Sequence, residues 1–287
     1  MKPATFEYWA PTTLHEALGI LAREDGEAKV LAGGQSLVPA MNFRLATPAA
    51  LVDINRIGGH DGVRVEGDHV TIGMLVRHRD LERSVVDDPL GELLAETANL
   101  VGHLPIRVRG TFAGSLAHAD PAAEWSMLVV ALEGSIVIRS AAGTRTIAAA
   151  DFFEGPFMTA LAPDEIITEV RLPLLGRAGT CVLEQSRTAG DFATVAALAI
   201  LRLEGGVVAE AHLGIAGAEG RPVRLAAAEG ALVGGAPERR TLDDAARVAG
   251  EQVDPISDNN ASSDYRRHLV RVLVRRALEE AAVRAVP

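Results

Sequence analysis

Ala32-Gly33-Gly34-Gln35-Ser36 closes a segment, Lys29-Val30-Leu31-Ala32, that reads as a short buried strand. Adjacent glycines admit positive φ and let a ligand approach the backbone closely. Successive N–H groups in such a turn can form an anion nest, and the Ser36 hydroxyl adds a donor. That chemistry suits a phosphate group, although a Gly-Gly turn without a ligand has the same composition. Gly110-Thr111-Phe112-Ala113-Gly114-Ser115 is a second glycine-bearing turn, with two hydroxyl side chains. Two such turns are more telling than one, because a dinucleotide has two phosphates and two ends to hold. Neither is the Gly-x-Gly-x-x-Gly fingerprint or a Gly-x-x-x-x-Gly-Lys phosphate loop. Gly34-Gln35-Ser36-Leu37-Val38 also departs from the Gly-x-Ser-x-Gly nucleophile elbow.

Two further clusters carry polar groups. In His118-Ala119-Asp120-Pro121-Ala122-Ala123-Glu124, Asp120 reads as a helix N-cap and Pro121 as the first helical residue. Glu124 then stands one turn inside, able to reach a ligand at that helix start. Metal binding or acid–base work would use the same residue types, but capping already accounts for Asp120. Arg187-Thr188-Ala189-Gly190-Asp191-Phe192-Ala193 reads as a polar hairpin loop, or as a loop laid over a flat ligand. In the second reading Phe192 packs and Arg187 supplies charge. Arg266, Arg267, Arg271, Arg275 and Arg276 form a basic face, solvated or turned to a partner.

The elements that must position these groups follow from periodicity and breakers. Thr13-Leu14-His15-Glu16 has the capping-box pattern, and Leu14, Ala17, Leu18 and Leu21 continue at helical spacing to about Arg23. Short strands are expected at Lys29–Ala32 and Leu51–Ile54, and a hairpin at Val63–Val65 and Val70–Ile72. Helices are expected near Val76–Arg83 and Gly91–Val101, then a loop from Gly102 to Ala119, then the helix begun at Asp120. A second hairpin turns at Ala142-Gly143, and Glu165–Leu172 is a strand. Beyond Leu174–Gly179, strands are expected at Thr180–Ser186, Thr194–Glu204 and Val207–Ala216. Helices near Arg224–Leu232, Leu242–Gln252 and Ser263–Arg284 close the chain. Strands and helices without regular βαβ alternation indicate an α+β fold.

Composition removes several function classes. The 287 residues carry 28 Lys+Arg against 38 Asp+Glu, a net charge of −10. A nucleic-acid binder needs a basic face to neutralise phosphates, and aromatics are only 4%, too few for base-stacking platforms. The longest strongly apolar stretch, Phe192–Leu201, is far short of the roughly 20 residues of a bilayer span. No nucleic-acid partner and no membrane insertion are expected. Cys181 is the single cysteine, so the chain cannot supply the thiolates of an iron–sulfur cluster. One thiol and an N-terminus without a signal-peptide core indicate a cytoplasmic protein.

Taken together, the motifs resemble the FAD-binding medium subunit of the molybdenum hydroxylases, the xanthine dehydrogenase and aerobic carbon monoxide dehydrogenase family. The residues that carry the resemblance are Ala32 to Leu37, Arg44-Leu45-Ala46, Thr111 to Ser115, His118 to Glu124, and Gly190-Asp191-Phe192-Ala193. The resemblance implies a vanillyl-alcohol-oxidase-type (PCMH-type) FAD-binding domain over residues 1–175, with subdomains of about 1–57 and 58–175. A carbon monoxide dehydrogenase flavoprotein-type domain over 176–287 follows, with a three-stranded antiparallel sheet and helices.

It further implies that Lys29, Val30, Leu31, Ala32, Gly33, Gly34, Gln35 and Ser36 form a first FAD loop that cradles the pyrophosphate. Thr111, Phe112, Ala113, Gly114 and Ser115 form a second loop, which Gly110 adjoins. Val101 lines the cofactor, Glu124 hydrogen-bonds its ribityl or ribose hydroxyls, and Leu161 and Arg187 lie near the isoalloxazine ring. No catalytic side chain and no metal ligand is implied. The family's second loop usually reads Thr-Ile-Gly-Gly, whereas this chain has Ala113 at the third position. A positive φ there would strain an alanine by about 1 kcal/mol or more. The implied role is electron transfer from two 2Fe–2S clusters of a small partner to an external acceptor. A large partner holds molybdopterin, and the assembly is a dimer of heterotrimers. The alternatives are a scaffold subunit that has lost FAD and a stand-alone flavin oxidase.

Overall fold

The computed structural model describes residues 2–285. Met1, Val286 and Pro287, the outer ends of the two expected domains, lie outside the described residues. The first layer holds β1 (Glu7–Trp9), α1 (Leu14–Arg23), β2 (Ala28–Leu31), α2 (Leu37–Asn42) and β3 (Ala50–Asp53). Its three strands run parallel in the order β1-β3-β2. The cap of α1 forms as its sequence requires, with the Thr13 hydroxyl accepting from the Glu16 N–H at 3.2 Å. The reciprocal bond is displaced by one residue, because the Glu16 carboxylate accepts from Thr12 N–H.

The second layer follows β4 (Val63–Glu66), β5 (His69–Gly73), a 3-10 turn (His78–Leu81), α3 (Pro89–Leu100), α4 (Leu104–Arg109), α5 (Phe112–His118) and α6 (Glu124–Ala131). It continues through β6 (Ser135–Ser140), β7 (Gly143–Ala148), α7 (Ala149–Phe152), β8 (Phe153–Gly155), β9 (Met158–Thr159) and β10 (Ile166–Pro173). Strands β4-β5-β10-β6-β7 make a five-stranded sheet with antiparallel neighbours.

The expected loop from Gly102 to Ala119 is instead α4 and α5. Pro105 sits in the first turn of α4, where its missing N–H has no intrahelical partner to lose. Thr111 caps α5 by accepting from Gly114 N–H at 3.1 Å. The helix expected from Asp120 starts at Glu124. The Asp120 carboxylate is used in the preceding turn, where it accepts from Ala122 N–H at 2.9 Å. Glu124 is therefore the first residue of α6, not a residue one turn inside it.

The third layer is β11 (Gly179–Gln185), β12 (Val195–Glu204), β13 (Val207–Ala216) and β14 (Val223–Arg224), then α8 (Ala226–Leu232), α9 (Arg239–Gln252) and α10 (Ser263–Arg284). The antiparallel sheet has four strands, not three. The addition is β14, two residues paired to Gly214 and Ile215 of β13 and too short to show alternation in sequence.

Strand β12 is buried on both faces, so it reads as a continuous apolar run. Ala196, Leu198 and Ile200 enter one hydrophobic core with α6 and the second layer. Val195, Ala197, Ala199 and Leu201 enter another with α8, α9 and α10. All eight residues of α6 are buried, and Gly214 lets β13 meet it closely: a Cβ there would lie 2.9 Å from the Ala131 methyl. The basic face expected on α10 is largely consumed within the chain. Arg266 is buried and bonds Asp258 and the Thr194 carbonyl, Arg271 lies over Gly250, and Arg275 pairs with Glu279.

Candidate functional site

The first glycine turn leaves the C-terminal end of β2 and enters α2. Gly34 has φ of +70°, the left-handed region that favours glycine. Val38 N–H and Ala40 N–H bond back to the Gly34 and Ser36 carbonyls at 3.0 and 3.1 Å. Among the described residues, no protein acceptor takes the N–H groups of Gly33, Gly34, Gln35 or Ser36. The turn therefore presents consecutive free donors, as an anion nest does.

The second glycine segment meets the first. A Cβ on Gly33 would lie 2.5 Å from both the Arg109 carbonyl oxygen and Gly110 Cα, so only glycine permits this approach. Gly110 is tight on its other side as well, with a virtual Cβ 2.6 Å from His78 Nε2. His78 is buried, and its Nδ1 accepts from the Trp125 indole N–H at 3.0 Å. Burial, with Arg107 and Arg77 nearby, pushes its pKa down to about 4, so the ring is neutral. Backbone bonds His78 N–H to Gly110 carbonyl and Phe112 N–H to Val76 carbonyl hold the segment in place.

Ala113 is a helical residue without positive φ, so the departure from glycine carries no backbone strain. Phe112 and Ala113 are buried; the Phe112 ring packs 4.7 Å from that of Trp125. Their side chains serve the core, leaving Gly114 and Ser115 as the half-buried positions of this segment. Ala113 N–H, like the first-loop donors, bonds to no protein acceptor among the described residues.

Glu124 is 5% exposed. Burial raises its pKa to about 8, and the neighbouring Glu184 and Asp120 push it the same way. Glu184 on β11 is raised to about 7 by burial, and its Oε2 is buried without a hydrogen-bond partner. A carboxyl in this state is a ready acceptor for ligand hydroxyls, since a donor there relieves desolvation. Val101 caps the C-terminus of α3 and is buried. Leu161 is half-buried after β9 and packs on the first core. Arg187 is exposed and donates to Asn260 Oδ1 at 3.2 Å. Lys29 is exposed on β2, with Val30, Leu31 and Ala32 half-buried.

The structure thus joins the first loop to Arg109 and Gly110. Among the described residues, no hydrogen bond runs from that junction to Val101, Leu161 or Arg187. Sequence reading missed Asn55, Arg77, His78 and Glu184. Residue type does not single them out: Arg77 and His78 simply open the polar run Arg77-His78-Arg79-Asp80.

Two glycine turns in contact stand beside a parallel sheet, with an antiparallel second sheet and a helix-backed third sheet. The FAD binding domain in molybdopterin dehydrogenase matches residues 4–175, and the CO dehydrogenase flavoprotein C-terminal domain matches residues 182–281. The chain belongs to this family, the FAD-binding medium subunits of molybdenum hydroxylases, and is an oxidoreductase subunit. It is 36% identical over 289 residues to the 6-hydroxypseudooxynicotine dehydrogenase complex subunit alpha of Paenarthrobacter nicotinovorans, covering 100% of this chain and 98% of that protein. Identity to the carbon monoxide dehydrogenase medium chain of Afipia carboxidovorans is 34%, over 99% of both. Carbon monoxide dehydrogenase of Hydrogenophaga pseudoflava superposes with a TM-score of 0.95 at 36% identity, over 99% of each chain.

Proposed function

We propose that this chain holds one FAD non-covalently and relays electrons from iron–sulfur clusters of a small partner to an external acceptor. Gly33, Gly34, Gln35 and Ser36 would hold the pyrophosphate, with Ala113, Gly114 and Ser115 across from them and Gly110 as the close-approach point. Glu124 would accept from ribityl or ribose hydroxyls, and Val101, Leu161 and Arg187 would border the ring. The observation that carries this reading is the junction of Gly33 with Arg109 and Gly110, flanked by free backbone donors.

Bound FAD takes up electrons singly and gives them up singly or in pairs. The chain's own part is placement. The free N–H groups offset phosphate charge in a molecule of net charge −10. Burial holds Glu124 protonated near neutrality, so its carboxyl is free to donate as well as accept at the ligand.

Cys181 is the single cysteine, so the clusters must reside on another chain. Large molybdopterin and small iron–sulfur partners in a dimer of heterotrimers complete the proposal, with the FAD-binding part ending near residue 175 and a cytoplasmic location. The test is acid precipitation of the purified chain and identification of what is released. FAD in the supernatant is the expected result. Flavin retained in the pellet overturns the non-covalent reading, and absence of flavin after reloading overturns the site.

A further inference from the structure

We infer that Asn55 and Arg77 are positioning residues: a two-link side-chain clamp that sets the spacing of the two glycine loops. The inference rests on the proposed assignment of those loops to the FAD pyrophosphate. Asn55 Nδ2 donates to the Ala32 carbonyl at 2.8 Å and to Asp53 Oδ1 at 2.6 Å. Its own Oδ1 accepts from the Arg77 guanidinium, whose other terminal nitrogen donates to the Arg109 carbonyl. The two anchored carbonyls flank the tightest contact in the site, because Arg109 O is an atom that a Gly33 Cβ would strike.

Among the described residues, no hydrogen bond joins residues 32–36 directly to residues 109–115. The Asn55–Arg77 pair is therefore the hydrogen-bonded link between them. It also sets direction. The peptide unit is planar and trans, so a carbonyl of Ala32 turned to Asn55 turns the Gly33 N–H the opposite way. Holding the Ala32 carbonyl behind the first loop frees the Gly33 donor in front, whereas the Gly110 N–H beside the Arg109 carbonyl is used by the Ile106 carbonyl at 2.7 Å.

Neither residue belongs to the hydrophobic cores. Asp53, at the end of β3, anchors the clamp: its Oδ1 accepts from Asn55 N–H at 2.9 Å and its Oδ2 from the Tyr8 hydroxyl. Arg77 is held from behind, its backbone N–H bonding Asp80 Oδ2 at 2.9 Å.

The experiment uses the full chain, stripped of flavin and titrated with FAD and separately with FMN, reading flavin fluorescence. Arg77→Met and Asn55→Asp are compared with the parent; the second keeps shape but cannot donate to Ala32. Each should weaken FAD about tenfold or more, as loss of a hydrogen bond to a charged or oriented group does. The double variant should be little worse than the poorer single one, because the two act as one link. FMN has one phosphate and no pyrophosphate to span the loops, so its affinity should change by less than FAD's. The flavin-free variants should melt close to the parent. FAD affinity within about twofold of the parent in both single variants overturns the clamp, and so does an equal loss for FAD and FMN. Gly33→Val separates the two levels. If it loses FAD while the clamp variants do not, only the clamp fails; if it keeps FAD, the loop assignment fails and takes the clamp with it.

Discussion

At the residue scale, two substitutions test what side chains contribute at the site. Ala113→Gly should lower the stability of the flavin-free chain by about 1–2 kcal/mol, since it adds a helical glycine and removes a buried methyl. FAD affinity should stay within about twofold; a large gain would mean that the alanine is strained after all. Glu124 gives a pH signature. Its pKa is raised from 4.5 to about 8 in the folded chain, so the unfolded chain loses this proton first as pH rises. Stability is then fully present below about 4.5 and is lost on the way up to about 8. Thermal melting of flavin-free Glu124→Gln should show a smaller decline across that window than the parent, together with weaker FAD binding. An unchanged slope would place the charge cost elsewhere. The glycine turns were legible in the sequence because both causes, free φ and close approach, belong to residue type. Asn55, Arg77 and Glu184 were not, because each acts on a partner remote in sequence, as Arg77 does on Arg109.

The element scale shows where local pattern suffices. Helix α10 spans the expected residues because its apolar positions repeat at helical spacing from Leu269 to Ala282, with Ser262 capping its start. Strand β12 was legible for the opposite reason, an unbroken apolar run with a core on each side. Helices α4 and α5 escaped because Pro105, Gly110 and Gly114 read as breakers; in fact Pro105 sits in the first turn of one helix and Gly110 ends it. Strand β1 shows no burial alternation, with all three residues exposed, and only its parallel pairing with β3 makes it a strand. The seam between α6 and β13 is the element-scale test. Gly214→Val would thrust methyls against Ala131 and Met127, and overpacking of this kind costs about 1–3 kcal/mol. A drop in melting temperature with FAD affinity retained is expected; simultaneous loss of FAD would show that the seam also sets the position of Glu124.

For the whole molecule, the expectation is that the chain alone hydroxylates nothing. Co-expression with its genomic neighbours should add dye-linked turnover on a panel of aldehydes and N-heterocycles, and native mass should rise accordingly. Robust turnover by the isolated chain, or failure to join any iron–sulfur subunit, would overturn the reading. One feature of the third layer gives the molecule a built-in clock. Cys181 is 2% exposed in the core that α10 covers, and burial pushes its thiol up to about 11. At neutral pH a disulfide reagent therefore finds almost no thiolate and no path to it. Labelling must wait for α10 to lift from β11, so its rate counts those openings. A single equivalent should react slowly in buffer and at once in denaturant. The lone sulfur is thereby a gauge of how often the third layer opens, without any engineered probe.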